Sequence, residues 1–175
     1  MQPALLYAWF DQFTGWFAEP AYQSVHWRCM VAVQCKLRAM RLVGISPTSI
    51  VTQKLPWAKP FEPDYQQYAT PGIIISPWGQ EAMLGGLNRL DDVGYPVLVS
   101  IIASDNQDLT TNLSKYLLWR ERVARAFRNQ SLGPAVPEVY TCRLEPLTIA
   151  VPESFLAGFW SSHLLLRFIS REPRG

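Results

Sequence analysis

Apolar positions along this chain recur at helical spacing in some stretches and at strand spacing in others, and the switches between them mark the elements. From about Tyr22 to Val43, Cys29, Met30, Val33, Leu37 and Met40 recur at three- and four-residue steps, which makes one apolar stripe on a helix. Gln34, Arg38 and Arg41 lie away from that stripe. Lys36, Arg38 and Arg41 suit the negative end of the helix dipole, and Gly44 is placed to cap it. A short β-prone run follows over Thr48–Leu55. Gly72–Pro77, GIIISP, reads as a buried strand between breakers, and Gly85-Gly86 marks a turn. Pro96–Ala103, PVLVSIIA, is apolar on both faces, as in the middle of a sheet covered on both sides. A second helix carries Leu113, Tyr116, Leu117, Val123, Ala124 and Phe127 on one side, with Lys115, Glu121, Arg122, Arg125 and Arg128 opposite; Gly133-Pro134 ends it. Two strands close the pattern. In Pro137–Glu145, Tyr140, Cys142 and Leu144 share a face. In Ser162–Arg171, Leu164, Leu166 and Phe168 face one way, and His163, Leu165, Arg167 and Ile169 the other.

This order predicts an α+β single domain. Its mainly antiparallel sheet has about four to five strands and packs with two main helices, preceded by an N-terminal helical segment. Residues 1–20 form an aromatic arm or short helix, and residues 21–175 the domain. The arm either docks on its own domain as an amphipathic helix or packs on a neighbouring subunit. Prolines at 56, 60, 63 and 71 exclude regular structure between the first two strands, in a segment that also carries Trp57, Phe61, Tyr65 and Tyr68. Such a loop either folds over its own core or forms an interface, and Trp57, Phe61 and Tyr65 are the candidate interface residues.

The second helix breaks its own pattern. At about 100° per residue, Arg120 falls inside the apolar stripe and Leu118 among the charges. Arg120 can snorkel to the surface while Leu118 is harmlessly exposed. The alternative makes both interface candidates: Arg120 pairs with a carboxylate at a sheet edge or subunit boundary, and Leu118 packs on a neighbour.

Composition narrows the chemistry. A net charge of +2 is too small for an electrostatic DNA binder, although Arg122, Arg125 and Arg128 leave a weak basic face as an alternative nucleic-acid surface. The cysteines, Cys29, Cys35 and Cys142, are three in number and lack metal-site spacing; all three read as small buried hydrophobes of a reducing cytosol. No Lys or Arg precedes Arg28, and Asp11 interrupts the apolar start, so neither a signal peptide nor a membrane span is expected. His26 and His163 are not placed near a nucleophile, Asp91-Asp92 reads as a solvated turn, and no phosphate or hydrolase motif occurs. The expectation is a protein that is not an enzyme and takes no cofactor or metal.

From Pro71 onward the chain resembles the tail terminator and neck proteins of tailed bacteriophages. The resemblance covers about 100 residues and is carried by order and texture: GIIISP, GYPVLVSII, the helix YLLWRERVARAFR, VPEVYTCRLEP and the terminal HLLLRFISREP. It implies a structural virion protein, assembled in the host cytoplasm, that forms a hexameric ring capping the tail tube. The implied partners are other copies of the chain, the tail tube protein, and the head–tail connector or stopper. Genomic DNA would pass through the lumen without sequence-specific binding. A stopper or head–tail adaptor is the neighbouring alternative. The aromatic N-terminal segment and the 56–71 loop depart from the family's pattern.

Overall fold

A computed structural model describes residues 24–53, 70–85, 90–104, 112–147, 149–150 and 158–173. The aromatic arm and the proline-rich loop, with Trp57, Phe61 and Tyr65, lie outside them. The described residues form two helices and a mixed six-stranded sheet, the α+β arrangement expected.

The first helix, α1 (Val25–Ala39), starts where the Ser24 hydroxyl accepts the Trp27 amide at 3.2 Å. It buries Cys29, Met30, Ala32, Val33 and Leu37. It ends before Gly44: Met40 is the C-cap, and Arg41 takes the left-handed conformation, with φ of 46°. Gly44 serves the following turn instead. Its φ is 85°, a conformation that favours glycine, and a Cβ there would meet the tip of the Lys115 side chain at 3.1 Å. Gln34 and Arg38, off the apolar stripe, both donate to the Ile50 carbonyl, at 2.9 and 2.8 Å, and tether the strand that follows.

The strands are β1 (Ile50–Thr52), β2 (Gly72–Pro77), β3 (Ala82–Met83), β4 (Leu90–Ser104), β5 (Val139–Pro146) and β6 (Phe159–Pro173). Their order is β1-β2-β4-β6-β5, with β3 pairing β4. Only β1 and β2 pair in parallel; the remaining ladders are antiparallel. The ladder of β4 with β6 runs from Leu90 opposite Pro173 to Ser104 opposite Phe159. Asp91, Asp92 and Gly94 therefore lie within a strand, not in a turn. Asp92 is held by Arg171 at 3.0 Å and by the Tyr140 hydroxyl at 3.1 Å. Gly94 leaves room for Arg167, whose Cδ would stand 3.1 Å from a Cβ.

Both helices pack on one face of the sheet. The second, α2 (Leu113–Phe127), lies against β5 and β6: Tyr116 stacks on Trp160 with ring centroids 4.8 Å apart, and Phe127 meets Phe168 edge-on at 6.3 Å. Val97, Val99, Ile101, Leu164, Leu166 and Phe168 belong to one buried cluster beneath α1 and α2, and Val97 stands opposite Leu166 and Val99 opposite Leu164. The other face is equally closed to water, with Leu98, Ile102 and Leu165 at most 6% exposed. A strand apolar on both faces thus sits mid-sheet, as its sequence requires.

Two details differ from the sequence pattern. A bulge between Val139 and Thr141 shifts the β5 register, which turns Val139 inward and leaves Tyr140 exposed while Cys142 stays buried. Arg171 lies over the Tyr140 ring at 5.1 Å. Of the cysteines, Cys29 and Cys142 are buried and Cys35 is only partly so. Burial pushes the Cys29 and Cys142 thiols up to about 12, so neither is a nucleophilic thiolate at neutral pH.

Leu166 is fully buried at the centre of this cluster. Leu166→Ala should destabilise the fold by about 2–5 kcal/mol, read as a lower denaturant midpoint with an unchanged slope. An unaltered midpoint would detach this residue from the core.

Candidate functional site

The residues that α2 buries are Tyr116, Trp119, Arg120, Val123 and Phe127, an i, i+3, i+4, i+7, i+11 stripe. The helix is thus rotated toward Trp119 relative to the stripe read from the sequence. Leu113 and Leu117, expected inside, are 43% and 36% exposed. The cause is aromatic: Trp119 donates its indole N–H to the Val43 carbonyl at 2.9 Å and packs with Tyr116 at 5.3 Å, which pulls that flank onto the domain.

Arg120 sits in the middle of the buried stripe, 8% exposed. One terminal nitrogen donates to the Ser162 hydroxyl at 2.5 Å and to the His163 carbonyl at 2.7 Å. The other donates to the Leu147 carbonyl at 3.1 Å. The planar fork thereby ties α2 to β6 and to the end of β5 through a hydroxyl and two backbone carbonyls. Arg120 points into its own subunit, while Leu118, on the opposite side of the helix, is 47% exposed among the exposed Lys115, Arg122 and Arg125. The helix places these two candidates apart: one residue fixes the helix and the other decorates its outer face.

The structure places His163 beside a serine, contrary to the sequence reading: its Nδ1 is 3.1 Å from the Ser100 hydroxyl across the β4–β6 ladder. The pair is not built as a nucleophile and base. Ser100 is 1% and His163 8% exposed, which leaves no approach for a substrate. Burial and the neighbouring Arg120 charge push the imidazole down to about 4, too weak a base to activate a hydroxyl efficiently at neutral pH.

A second feature escaped sequence reading. Glu81, Met83, Asp91, Val93, Tyr95, Glu172 and Pro173 line an open cleft of about 390 Å³ where β3, β4 and β6 run together. The Tyr95 hydroxyl donates to Glu172 at 2.6 Å, and the Ser170 hydroxyl does so at 2.5 Å. Burial and this carboxylate push the Tyr95 phenol up, so it stays a proton donor. His26, at the start of α1, donates to or accepts from neither of them; it reaches the Pro96 carbonyl at 2.8 Å and Glu81 at 3.6 Å. Asp91 had read as a solvated turn residue, and only the extension of β4 back to Leu90 brings it alongside Glu172. Among the described residues no group of His, Cys, Asp and Glu has the geometry to hold a metal ion, and no helix is long and apolar enough to cross a membrane. The cleft can instead receive cationic or amphipathic side chains from outside.

Set against known proteins, the chain matches no family model and no curated protein.

Removing the Arg120 fork while keeping its stem, as in Arg120→Met, removes its hydrogen bonds to the Ser162 hydroxyl and to the His163 and Leu147 carbonyls; a loss of about 1–3 kcal/mol is expected in chemical denaturation. Arg120→Lys should not restore it, because an ammonium cannot reproduce the planar fork.

His163 gives a pH prediction with a definite sign. Its folded value, about 4, lies below the ordinary 6.5, so unfolding takes up a proton between those limits. Its contribution to stability is complete above pH 6.5 and is lost as pH falls toward 4, by about 3 kcal/mol in all. Unfolding free energies measured across this window should fall less steeply in His163→Gln than in the wild type.

Proposed function

We propose that this chain is a structural virion protein: a tail terminator-like subunit whose ring caps the tail tube and joins it to the head connector. The supporting observation is the coincidence of the family-like stretches with discrete strands and one helix of the fold. GIIISP is β2, GYPVLVSII lies in β4, YLLWRERVARAFR in α2, VPEVYTCRLE in the turn before β5 and in β5, and HLLLRFISREP in β6, in that order. Such a subunit works by geometry. A stiff sheet with both helices on one face fixes the angle between two outer surfaces, and repeated contact between those surfaces closes a ring.

A second reading is favoured by one observation, the exposure of Arg122, Arg125 and Arg128 along α2. In that reading the helix lies on nucleic acid. Against it, Arg125 is already paired with Glu121 at 3.1 Å, and Leu118 interrupts the cationic surface.

Native mass measurement of the purified protein, alone and mixed with a tail tube protein, tests the proposal. The expected result is a closed oligomer, a hexamer by the family resemblance, that also captures the tube protein. A monomer at every concentration with no such capture would reject it. DNA binding that weakens steeply with salt would support the second reading. A stopper or head–tail adaptor would assemble but bind the connector in preference to the tube.

A further inference from the structure

We propose that the outward face of α2 in one copy docks into the cleft between β3, β4 and β6 of the next copy, with Leu118 as the knob. The inference rests on the reading of the chain as a self-assembling subunit and names the surfaces that meet.

The outward stripe of α2 is Lys115, Leu118, Arg122 and Arg125, spaced by three and four residues and exposed throughout. Arg122 and Arg125 flank Leu118, Arg125 paired with Glu121 at 3.1 Å, while Lys115 reaches back over the Trp119 ring at 5.0 Å. The cleft is the stripe's counterpart in sign. Glu81, Asp91 and Glu172 surround an apolar surface that includes Val93 and Met83, and Met83 is 69% exposed. An exposed methionine at the mouth of a cleft is an adaptable apolar contact for a leucine. Carboxylates around it would meet Arg122 as a charge-assisted pair at the rim, where opposite charge steers encounter and fixes register.

The occupant is a second copy because the first cannot reach itself. The Arg120 fork, the Tyr116–Trp160 stack and the Phe127–Phe168 contact hold α2 with its stripe turned away from its own sheet. The cleft belongs to that sheet, on β3, β4 and β6. The two patches differ, so the contact is heterologous: repeated from copy to copy, it closes into a ring or runs on as a filament. Duplex DNA is a poorer occupant, since the exposed apolar Leu118 offers its phosphates neither charge nor a hydrogen bond.

Complementary charge reversal tests this on the full chain. One variant carries Arg122→Glu and Arg125→Glu; the other carries Glu81→Lys and Asp91→Lys. Circular dichroism first establishes that both fold. Each alone should self-associate at least about tenfold more weakly than the wild type by light scattering, and mixing the two should restore assembly. Leu118→Ser, a change at an exposed position, should weaken assembly without altering the melting temperature. If the wild type assembles and the mixture does not, or if the single variants assemble normally, the interface is elsewhere and the proposal falls while the subunit reading stands. A wild type that never assembles overturns both. Loss of DNA binding in the Arg122, Arg125 variant with assembly intact would assign the helix face to nucleic acid and overturn the proposal.

Discussion

The antiparallel pairing of β4 with β6 sets the position of nearly every other element, and its register is not secured in the usual way. A strand with one wet face resists slippage because a one-residue shift would turn its apolar side chains into water. Here both faces are buried: Val97 and Leu166 lie on one side, Leu98 and Leu165 on the other. A slip would exchange one apolar set for another at modest cost. What a slip would break is polar or steric. Ser100 faces His163, Gly94 leaves the space that Arg167 fills, and Ser162 must lie beneath Arg120. Polar groups buried without partners cost far more than apolar groups repacked, so these few contacts discriminate between registers that hydrophobicity alone would tolerate.

Arg120 follows from the same constraint. A cation in the contact between helix and sheet is unfavourable unless its donors are satisfied, and they can be satisfied only when α2 lies at one height and rotation over β6. The charge therefore selects the docking geometry more than it adds to stability. It also reaches through to His163, whose imidazole is kept neutral by burial and by the guanidinium. That neutral ring can pair with a serine hydroxyl inside the sheet without introducing a second buried charge.

The strands were the most legible part of this sequence, because runs such as GIIISP and PVLVSIIA leave little choice but a covered sheet. Arg120's inward position was also legible, since it depends only on helical angle. Its partners were not, because Ser162, His163 and Leu147 are distant in sequence and are brought together by the sheet. The rotation of α2 toward Trp119 was hidden for a related reason: a tryptophan with a polar N–H can face either way until a carbonyl such as that of Val43 is within reach. The bulge at Tyr140 reversed an alternation that the local sequence supports, and the cleft around Tyr95 required knowing that β4 begins at Leu90 and pairs to Pro173. Arg41 at positive φ shows the limit of reading caps from glycine alone: the chain turned three residues earlier and used Gly44 where Lys115 approaches.

These features bear on how firmly the domain fixes the outer face of α2. The inward and outward residues of α2 are not independent choices. A helix held only by apolar contacts can rotate and slide by fractions of a turn, and its outer face would then be presented in many orientations. A helix whose inner face is locked by a guanidinium fork, an indole hydrogen bond and two aromatic contacts has one orientation. Whatever meets Leu118, Arg122 and Arg125 therefore meets a helix whose orientation is set in advance, and the entropy of fixing that orientation has been lost already in folding. The same reasoning applies to the long ribbon that carries the cleft, where Tyr95, Ser170 and Glu172 are fixed to one another. A subunit that must repeat the same angle at every contact has more need of such rigidity than of affinity, because small angular errors accumulate around a ring and prevent it from closing.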